Sequence, residues 1–196
     1  MTLTRFAGIA VSFFAVSFLA IALSPAAVHA QTNKPAAKPA AKPAVPNIGG
    51  AQPNLIGQYG DWGAYAAAPG GKKLCFVISR PTKMLPANVR RDPAYLFIST
   101  RPAEKVTDEV SVILGYPAKP GVDGAVEVGS ESVALYTQND GAWVKTAPDE
   151  PKLVAALRGG AEAVVKAESK RGTKTTDTYS LKGISQALDR AAQECK

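Results

Sequence analysis

Histidine is almost absent from this sequence: the only one, His29, lies within the first thirty residues. If those residues are removed on export, the remaining chain contains no imidazole. Ser–His and Cys–His nucleophiles, a general base that titrates near neutral pH and His-containing zinc sites are then excluded. The exported chain therefore cannot form a hydrolytic active site that depends on histidine.

Other catalytic signatures are missing as well. The sequence has no Gly-x-Ser-x-Gly nucleophile elbow and no Ser-x-x-Lys pair. Residues 171–175 superficially resemble a phosphate loop, but they lack its spaced glycines and are interpreted as a hairpin turn. The acidic residues Glu104, Asp108, Glu109, Asp149 and Glu150 lack calcium-loop spacing and are interpreted as solvated surface. We assign no catalytic residue, no cofactor and no metal ligand, and keep a His-independent hydrolase as an alternative.

Cysteine is scarce too: Cys75 and Cys195 are the only two, and they form no Cys-x-x-Cys pair. A dithiol redox role is therefore disfavoured. In an oxidising compartment an even, minimal count predicts one disulfide between them, with two buried free thiols as the alternative. Such a bridge would fasten the C-terminus to the core.

Residues 1–30 have the layout of a secretory signal. Arg5 precedes an uncharged, largely apolar run, Phe6–Leu23, and cleavage is predicted between Ala30 and Gln31. The run of about 18 residues is also just long enough to span a bilayer, so an uncleaved anchor is the alternative. After cleavage no transmembrane segment is expected, and we expect the protein in the periplasm or associated with the outer membrane.

Residues 31–54 are rich in Lys, Pro, Ala and Gly, with Lys-Pro-Ala repeated at Lys34, Lys38 and Lys42. This segment has too little apolar bulk to fold and is predicted to be a disordered tether that favours extended polyproline II. It is either an inert spacer or a spacer whose ammonium groups also bind lipid phosphates or cell-wall carboxylates.

The net charge of +7 is unevenly placed along the chain. The three tether lysines and Arg5 carry four of these charges, which leaves a mildly basic remainder. A nucleic-acid binder concentrates positive charge in its folded domain and interleaves it with aromatic residues. We therefore expect no nucleic-acid partner, and expect instead an anionic component of the envelope or of a host surface.

Residues 55–196 have the size of one domain with its own core. Short apolar runs rich in β-branched and aromatic residues, separated by turn residues, favour a mostly β, antiparallel domain that resembles a sandwich or a barrel. The predicted strands cover 62–67, 74–79, 94–100, 110–116, 125–128, 132–137 and 142–145, followed by a hairpin of 163–168 and 175–181. Hairpin turns are predicted at Gly129-Ser130, Asn139–Gly141 and Arg171-Gly172.

Two helices complete the predicted domain. A short internal helix covers Asp149–Arg158, because Pro148 and two acidic residues suit its first turn and Gly159-Gly160 suits its end. The last segment is an amphipathic helix with apolar residues at helical spacing: Ile184, Ala187, Leu188, Ala191, Ala192 and Cys195. This periodicity directs Cys195 inward, towards a sheet in which Cys75 lies within an apolar run.

Two groups of residues are candidate ligand contacts. Arg90, Arg91 and Arg101 flank one strand and can grip a carboxylate or a phosphate, or can instead form ion pairs that pin loops. Trp62 and Trp143, with neighbouring tyrosines, can stack on sugars or peptides, or can instead fill the core.

Four segments in order resemble the invasion-associated locus B (IalB) family: Gly60–Trp62, Lys73–Cys75, Arg91–Pro102 and Thr176–Leu181 with the helix that follows. The resemblance covers about Tyr59 to Cys195. It implies an exported envelope protein of Gram-negative bacteria with a β-sandwich-like domain, in a family named for a link to host-cell entry. It brings no catalytic residues, and Cys75 and Cys195 match the paired cysteines of the family.

The sequence as a whole predicts a non-enzymatic binding module of the cell envelope, linked to host-cell invasion or to envelope maintenance. The alternative is a structural or chaperone-like periplasmic protein that binds exposed strand edges.

Overall fold

The computed structural model describes Val45 and residues 47–196. The predicted signal segment, the cleavage site between Ala30 and Gln31, and most of the predicted tether lie outside the described residues. The described residues form eleven β-strands and two α-helices. The strands are β1 (Asn54–Tyr59), β2 (Trp62–Ala67), β3 (Leu74–Ser79), β4 (Lys83–Leu85), β5 (Tyr95–Arg101), β6 (Val106–Ile113), β7 (Gly124–Val128), β8 (Glu131–Gln138), β9 (Gly141–Val144), β10 (Glu162–Glu168) and β11 (Lys174–Ser180). The helices are α1 (Asp149–Gly159) and α2 (Ile184–Glu194).

All the strands belong to one antiparallel sheet in the order β1-β2-β3-β5-β6-β9-β8-β7-β10-β11-β4. β1 and β4 are its two edges, so the sheet does not close into a barrel. The predicted fold class is confirmed: a mostly β antiparallel domain with an internal and a C-terminal helix. Of the two predicted forms, the open sheet corresponds to the sandwich-like one.

The predicted hairpin turns are confirmed, and they lie where the backbone needs a positive φ. In the β8–β9 hairpin, Gln138 pairs with Gly141, and the two residues between them turn the chain with Asn139 at φ 53°. Gly129 has φ 59° between β7 and β8, and Gly172 has φ 83° between β10 and β11. Asparagine and glycine tolerate this left-handed conformation, which explains why the local sequence signals these turns.

The main core lies between the inner face of the sheet and the two helices. Its fully buried side chains come from strands across the sheet and from both helices, and include Trp62, Leu96, Leu135, Leu157, Tyr179 and Ile184. Burial of each such side chain contributes about 1.5–3 kcal/mol. In α2 the predicted stripe is buried except at Ala192, which is exposed because it lies at the border of the apolar face.

A disulfide joins Cys75 in β3 to Cys195, which follows α2, with Cα atoms 5.9 Å apart. Both cysteines are buried. The predicted bridge is thus confirmed, and it holds α2 against the half of the sheet that contains β1, β2 and β3.

A second apolar cluster lies on the outer face of the sheet. Tyr65, Phe76 and Phe97 stack there in a row, with ring centroids 5.3 and 4.5 Å apart. Val45, Ile48 and Ala51 pack against the cluster. The last part of the predicted tether therefore lies against the folded sheet.

Sequence patterning misses the two edge strands, β1 and β4. β1 contains Gly57 and a shift of register between Leu55 and Gly57, and a glycine inside a strand weakens its signal. β4 has three residues, all exposed, so it shows no alternation of buried and exposed positions.

Candidate functional site

A cleft of about 970 Å³ opens where three connections of the sheet meet. They are the segment before β5, the segment after β6 and the turn between β10 and β11. The residues that line the cleft are Val89, Arg90, Arg91, Asp92, Gly115, Tyr116, Pro117, Ser169, Lys170, Arg171, Thr173 and Thr175. Its volume falls in the range of small-molecule binding sites.

Backbone hydrogen bonds hold the walls of the cleft together. The Asp92 N–H donates to the Gly115 carbonyl at 2.9 Å, and the Lys170 N–H donates to the Pro117 carbonyl at 2.8 Å. Gly115 has φ 76°, and a Cβ at this position would lie 2.1 Å from the Asp92 carbonyl oxygen. Only glycine permits this approach, so the sequence itself fixes how closely the first two walls meet.

A buried ion pair forms the floor of the cleft. The Arg91 guanidinium contacts the Asp177 carboxylate, and the two side chains are 4% and 1% exposed. The same guanidinium lies over the Tyr116 ring, 5.7 Å from its centroid, and the Tyr116 hydroxyl is hydrogen-bonded to the Thr175 hydroxyl. These contacts hold Arg91 in one position beneath the cleft.

Burial changes the acidity of the groups around this floor. Desolvation raises the pKa of Asp177, and the hydrogen bond and charge of Arg91 oppose that rise. Desolvation also raises the pKa of Tyr116 and, further, that of the nearly inaccessible Tyr179, where the Asp177 charge adds to the effect. Both phenols therefore stay protonated at neutral pH.

The rim of the cleft is strongly basic. Arg90, Lys170 and Arg171 are exposed, and none of them forms a salt bridge with another described residue. The exposed Asp92 is the acidic member of the cleft lining. Three cations against one carboxylate give the rim an excess of positive charge, which attracts anions to the cleft.

The structure brings Arg90 and Arg91 together in the cleft but places Arg101 elsewhere. Arg101 lies at the opposite end of β5 and contacts Glu104 at 2.7 Å and Glu109 at 2.9 Å. The hydrogen bond to Glu109 raises the pKa of Arg101 most, against desolvation, which lowers it. Arg101 is thus a loop-pinning residue, as the alternative interpretation of these arginines supposed, and not a second grip on the same ligand.

Trp62 is a core residue. It is 0% exposed, and its indole N–H donates to the Ser180 carbonyl at 2.9 Å. The indole therefore joins β2 to β11 and is not accessible to a ligand, which corrects its candidate role.

Trp143 is 36% exposed and lies on the outer face of the sheet, outside the cleft. It pairs across β9 and β8 with Tyr136, which is 47% exposed. A Cβ at Gly141 would lie 2.3 Å from the Trp143 ring, so the indole covers the backbone of that glycine. Trp143 remains accessible to a partner, at a place separate from the basic rim.

Of the five acidic residues expected at the surface, only Glu104 is exposed; the other four are partly buried, and Glu150 has a structural contact. Glu150, in the first turn of α1, accepts a hydrogen bond from the Val110 N–H, and desolvation raises the pKa of its carboxyl group. The contact fastens α1 to β6, so Glu150 has a structural place that local spacing does not reveal.

Sequence reasoning missed Lys170, Arg171 and Asp177 as parts of this site. The sequence predicts the turn between β10 and β11, but this turn comes to lie near Arg90 only when the sheet folds. A signal for Asp177 is present in the alternation of β11, where Thr175, Asp177 and Tyr179 are all buried. An acidic residue on the buried face of a strand requires a cationic partner.

The described part of the chain contains no cluster of His, Cys, Asp and Glu that could hold a metal ion. Among the same residues, no helix is both long and apolar enough to cross a membrane.

Comparison with known proteins identifies a family and a similar solved structure. The sequence model of the invasion associated locus B (IalB) protein family matches residues 62–192. The structure is similar to that of invasion associated protein B from Bartonella henselae, with a TM-score of 0.53 and 16% sequence identity over 72% of this chain and 98% of that one. At this identity the likeness concerns the fold. No curated protein matches the chain.

Proposed function

The chain belongs to the invasion associated locus B family, and from that premise we propose that it is an exported, non-enzymatic binding module of the bacterial cell envelope. Its basic cleft captures an anionic group of an envelope or host-surface component. The role served by this capture is host-cell invasion, as the family name and the Bartonella protein's title suggest, or maintenance of the envelope.

The observation that carries the proposal is the charge of the cleft. Arg90, Lys170 and Arg171 stand on its rim without acidic partners among the described residues, and Arg91 lies beneath them. Cations left unpaired around a concave site attract anions over a distance, and guanidinium groups bind carboxylate or phosphate oxygens in a fixed geometry.

Export is supported by two independent features. The first thirty residues have the composition of a secretory signal, and the folded part carries a disulfide. Disulfides form and persist in oxidising compartments such as the bacterial periplasm.

A lysine-activated hydrolase is not favoured by the site. Such a mechanism needs a lysine beside a hydroxyl group with the pKa of its ammonium group strongly lowered, and burial is the usual cause of a large lowering. Lys170 and Lys174, which lie on either side of the turn between β10 and β11, are both exposed. The cleft is better suited to holding an anion than to reacting with one.

The proposal is tested by measuring the affinity of the residue 31–196 protein for labelled inorganic polyphosphate, a soluble polyanion. We expect binding that weakens as salt is raised from about 50 to 200 mM, because salt screens the rim charges. Changing Arg90, Lys170 and Arg171 together to Gln should weaken binding at least about tenfold, since each lost contact is a charged hydrogen bond.

A matched control removes three exposed lysines outside the cleft, with Lys72, Lys152 and Lys182 changed to Gln. This variant has the same net charge as the rim variant, so the two differ only in where the charge is removed. If the cleft is the site, the affinity of the control for polyphosphate should fall less than about threefold. Equal losses in the two variants, or no binding by the wild-type protein, would contradict the proposal.

A further inference from the structure

Exposed large apolar side chains are concentrated beside the cleft. Among the described residues five such side chains are exposed, and Met84, Leu85 and Val89 are three of them, each about 40% accessible. The other two, Tyr136 and Trp143, pair with each other on β8 and β9. Single exposed apolar residues are ordinary, but three within one short segment at a sheet edge indicate a contact surface.

Met84 and Leu85 project from an edge of the sheet. β4 pairs with β11 on one side, and its other side forms the end of the sheet. Met84 lies opposite Asp177 and Leu85 lies opposite Thr176, so the two side chains point to opposite faces of the edge. Val89 follows in the segment that leads into the cleft and lines its wall.

Exposed cations lie beside these apolar side chains, before and after them in the chain and across the cleft. We call this surface the basic edge, and it comprises Lys83, Met84, Leu85, Val89, Arg90, Lys170, Arg171 and Lys174. Its five cations are exposed, and none forms a salt bridge with another described residue. Apolar side chains flanked by cations without acidic partners match a partner that offers anionic groups above an apolar layer.

We propose that the basic edge docks on an anionic lipid bilayer. This rests on the proposed function and names the partner of its site: the rim cations bind lipid phosphates, and Met84, Leu85 and Val89 enter the boundary between headgroups and acyl chains. Cations near an anionic membrane surface and apolar groups buried at its boundary each add to such binding.

A fluid surface suits this edge better than an extended peptide does. Strand addition needs a run of free backbone groups, but β4 has three residues and Pro86, directly after it, has no N–H to donate. Side chains that point to both faces of the edge also fit a deformable layer more readily than a rigid groove. The observations therefore favour lipid over a protein strand.

The test is sedimentation of the residue 31–196 protein with vesicles at about 50 mM NaCl. We expect binding to vesicles of phosphatidylglycerol mixed with phosphatidylcholine, and at least about tenfold weaker binding to phosphatidylcholine alone. Changing Met84, Leu85 and Val89 together to Ser should lower binding to the anionic vesicles at least about tenfold, because buried CH₂ groups are lost. A second variant, with only Met84 and Leu85 changed to Ser, should also bind the anionic vesicles more weakly and should keep its affinity for soluble polyphosphate, since it leaves every residue of the cleft lining intact.

The matched control changes the other two exposed side chains, Tyr136 and Trp143, to Ser. It should bind anionic vesicles as the wild-type protein does, and thermal unfolding of each variant shows that the fold is kept. Undiminished vesicle binding by the Met84, Leu85 and Val89 variant would overturn the inference, as would equal binding to neutral vesicles.

Failure of the two proposals can be told apart. A protein that binds polyphosphate but not vesicles overturns the lipid partner and leaves the anion-binding cleft in place. A protein that binds neither probe overturns both. Both proposals are supported if the wild-type protein binds anionic vesicles and two variants do not: the Ser variant of Met84, Leu85 and Val89, and the Gln variant of the three rim cations. The Ser variant of Tyr136 and Trp143 should then bind as the wild type does.

Discussion

At the scale of single residues, Arg91 and Asp177 deserve the first test because each is buried against the other. In a buried ion pair the cost of desolvation offsets much of the attraction, so an intact pair adds little net stability. Removal of one partner leaves an uncompensated charge in the interior. The pair therefore fixes the floor of the cleft more than it stabilises the fold.

We predict that Arg91→Gln lowers the free energy of unfolding by about 3–5 kcal/mol at neutral pH, as measured by urea denaturation. The neighbouring Arg90→Gln is the control, because Arg90 is exposed and its loss should cost less than about 0.5 kcal/mol. Similar losses from both substitutions would mean that Arg91 is not held as the structure describes.

The cost of Arg91→Gln should depend on pH. Burial raises the pKa of Asp177, and without Arg91 nothing opposes that rise, so the folded state keeps a proton that the unfolded chain releases near pH 3.9. Neutral Asp177 is tolerated at low pH, and the stability it allows is lost as pH rises through the folded-state pKa. The difference from wild type should thus be small near pH 4 and grow above it; a constant difference would contradict this account.

The residues of the site were only partly predictable. Arg90 and Arg91 stand out because charge precedes a strongly apolar strand. Lys170 and Arg171 do not, because they become neighbours of Arg90 only through the pairing of strands that are distant in sequence. Trp62 and Arg101 show the converse, because both residue types are suited to binding ligands. The sequence does not reveal that Trp62 is buried or that Arg101 is paired with an acidic residue.

At the scale of elements, the interior strands and both helices follow from local patterns, whereas the order of strands does not. Alternation marks β8, β10 and β11, and helical spacing marks α2. The pairing of β9 with β6, and of β4 with β11, depends on contacts between distant parts of the chain. Such nonlocal pairing leaves no periodic trace in the sequence.

The disulfide makes a prediction about α2. Changing Cys75 and Cys195 together to Ala should lower the free energy of unfolding by roughly 4 kcal/mol, because the bridge closes a loop of 120 residues. Urea denaturation measures the loss, and hydrogen exchange should show that the amides of α2 lose protection first.

Reduction of the wild-type protein with dithiothreitol is the control for the cysteine variant, because it opens the same bridge without replacing a residue. The two should agree within about 1 kcal/mol. A variant as stable as the oxidised wild type would show that α2 is held by its apolar face alone.

At the scale of the whole molecule, net charge is a poor guide to where charge acts. Composition places four of the seven excess positive charges in the tether lysines and Arg5 and leaves a mildly basic remainder. Folding then gathers five unpaired cations of that remainder along the basic edge, while others pair with acids, as Arg101 does with Glu104 and Glu109. The sequence gives the net charge of the domain, and the fold determines which cations lie together on its surface.

The proposed export makes a prediction for the chain of residues 1–196. Protein recovered from the periplasm should begin at Gln31, and its non-reduced peptides should include one that links Cys75 to Cys195. Intact-mass and peptide mass spectrometry measure both. A chain that keeps residues 1–30 would favour the membrane anchor over the cleaved signal.

The Cys75–Cys195 bridge also divides the protein mechanically. It closes residues 75–195 into a covalent ring, and every residue that lines the cleft, from Val89 to Thr175, belongs to that ring. Tension between the N-terminal segment and the C-terminus can separate β1 and β2, which precede Cys75, from the sheet, but it crosses the rest of the domain through the disulfide. Pulling on the two ends of the chain can therefore draw out β1 and β2 but cannot extend the segment that lines the cleft, because the bridge stops the extension at Cys75.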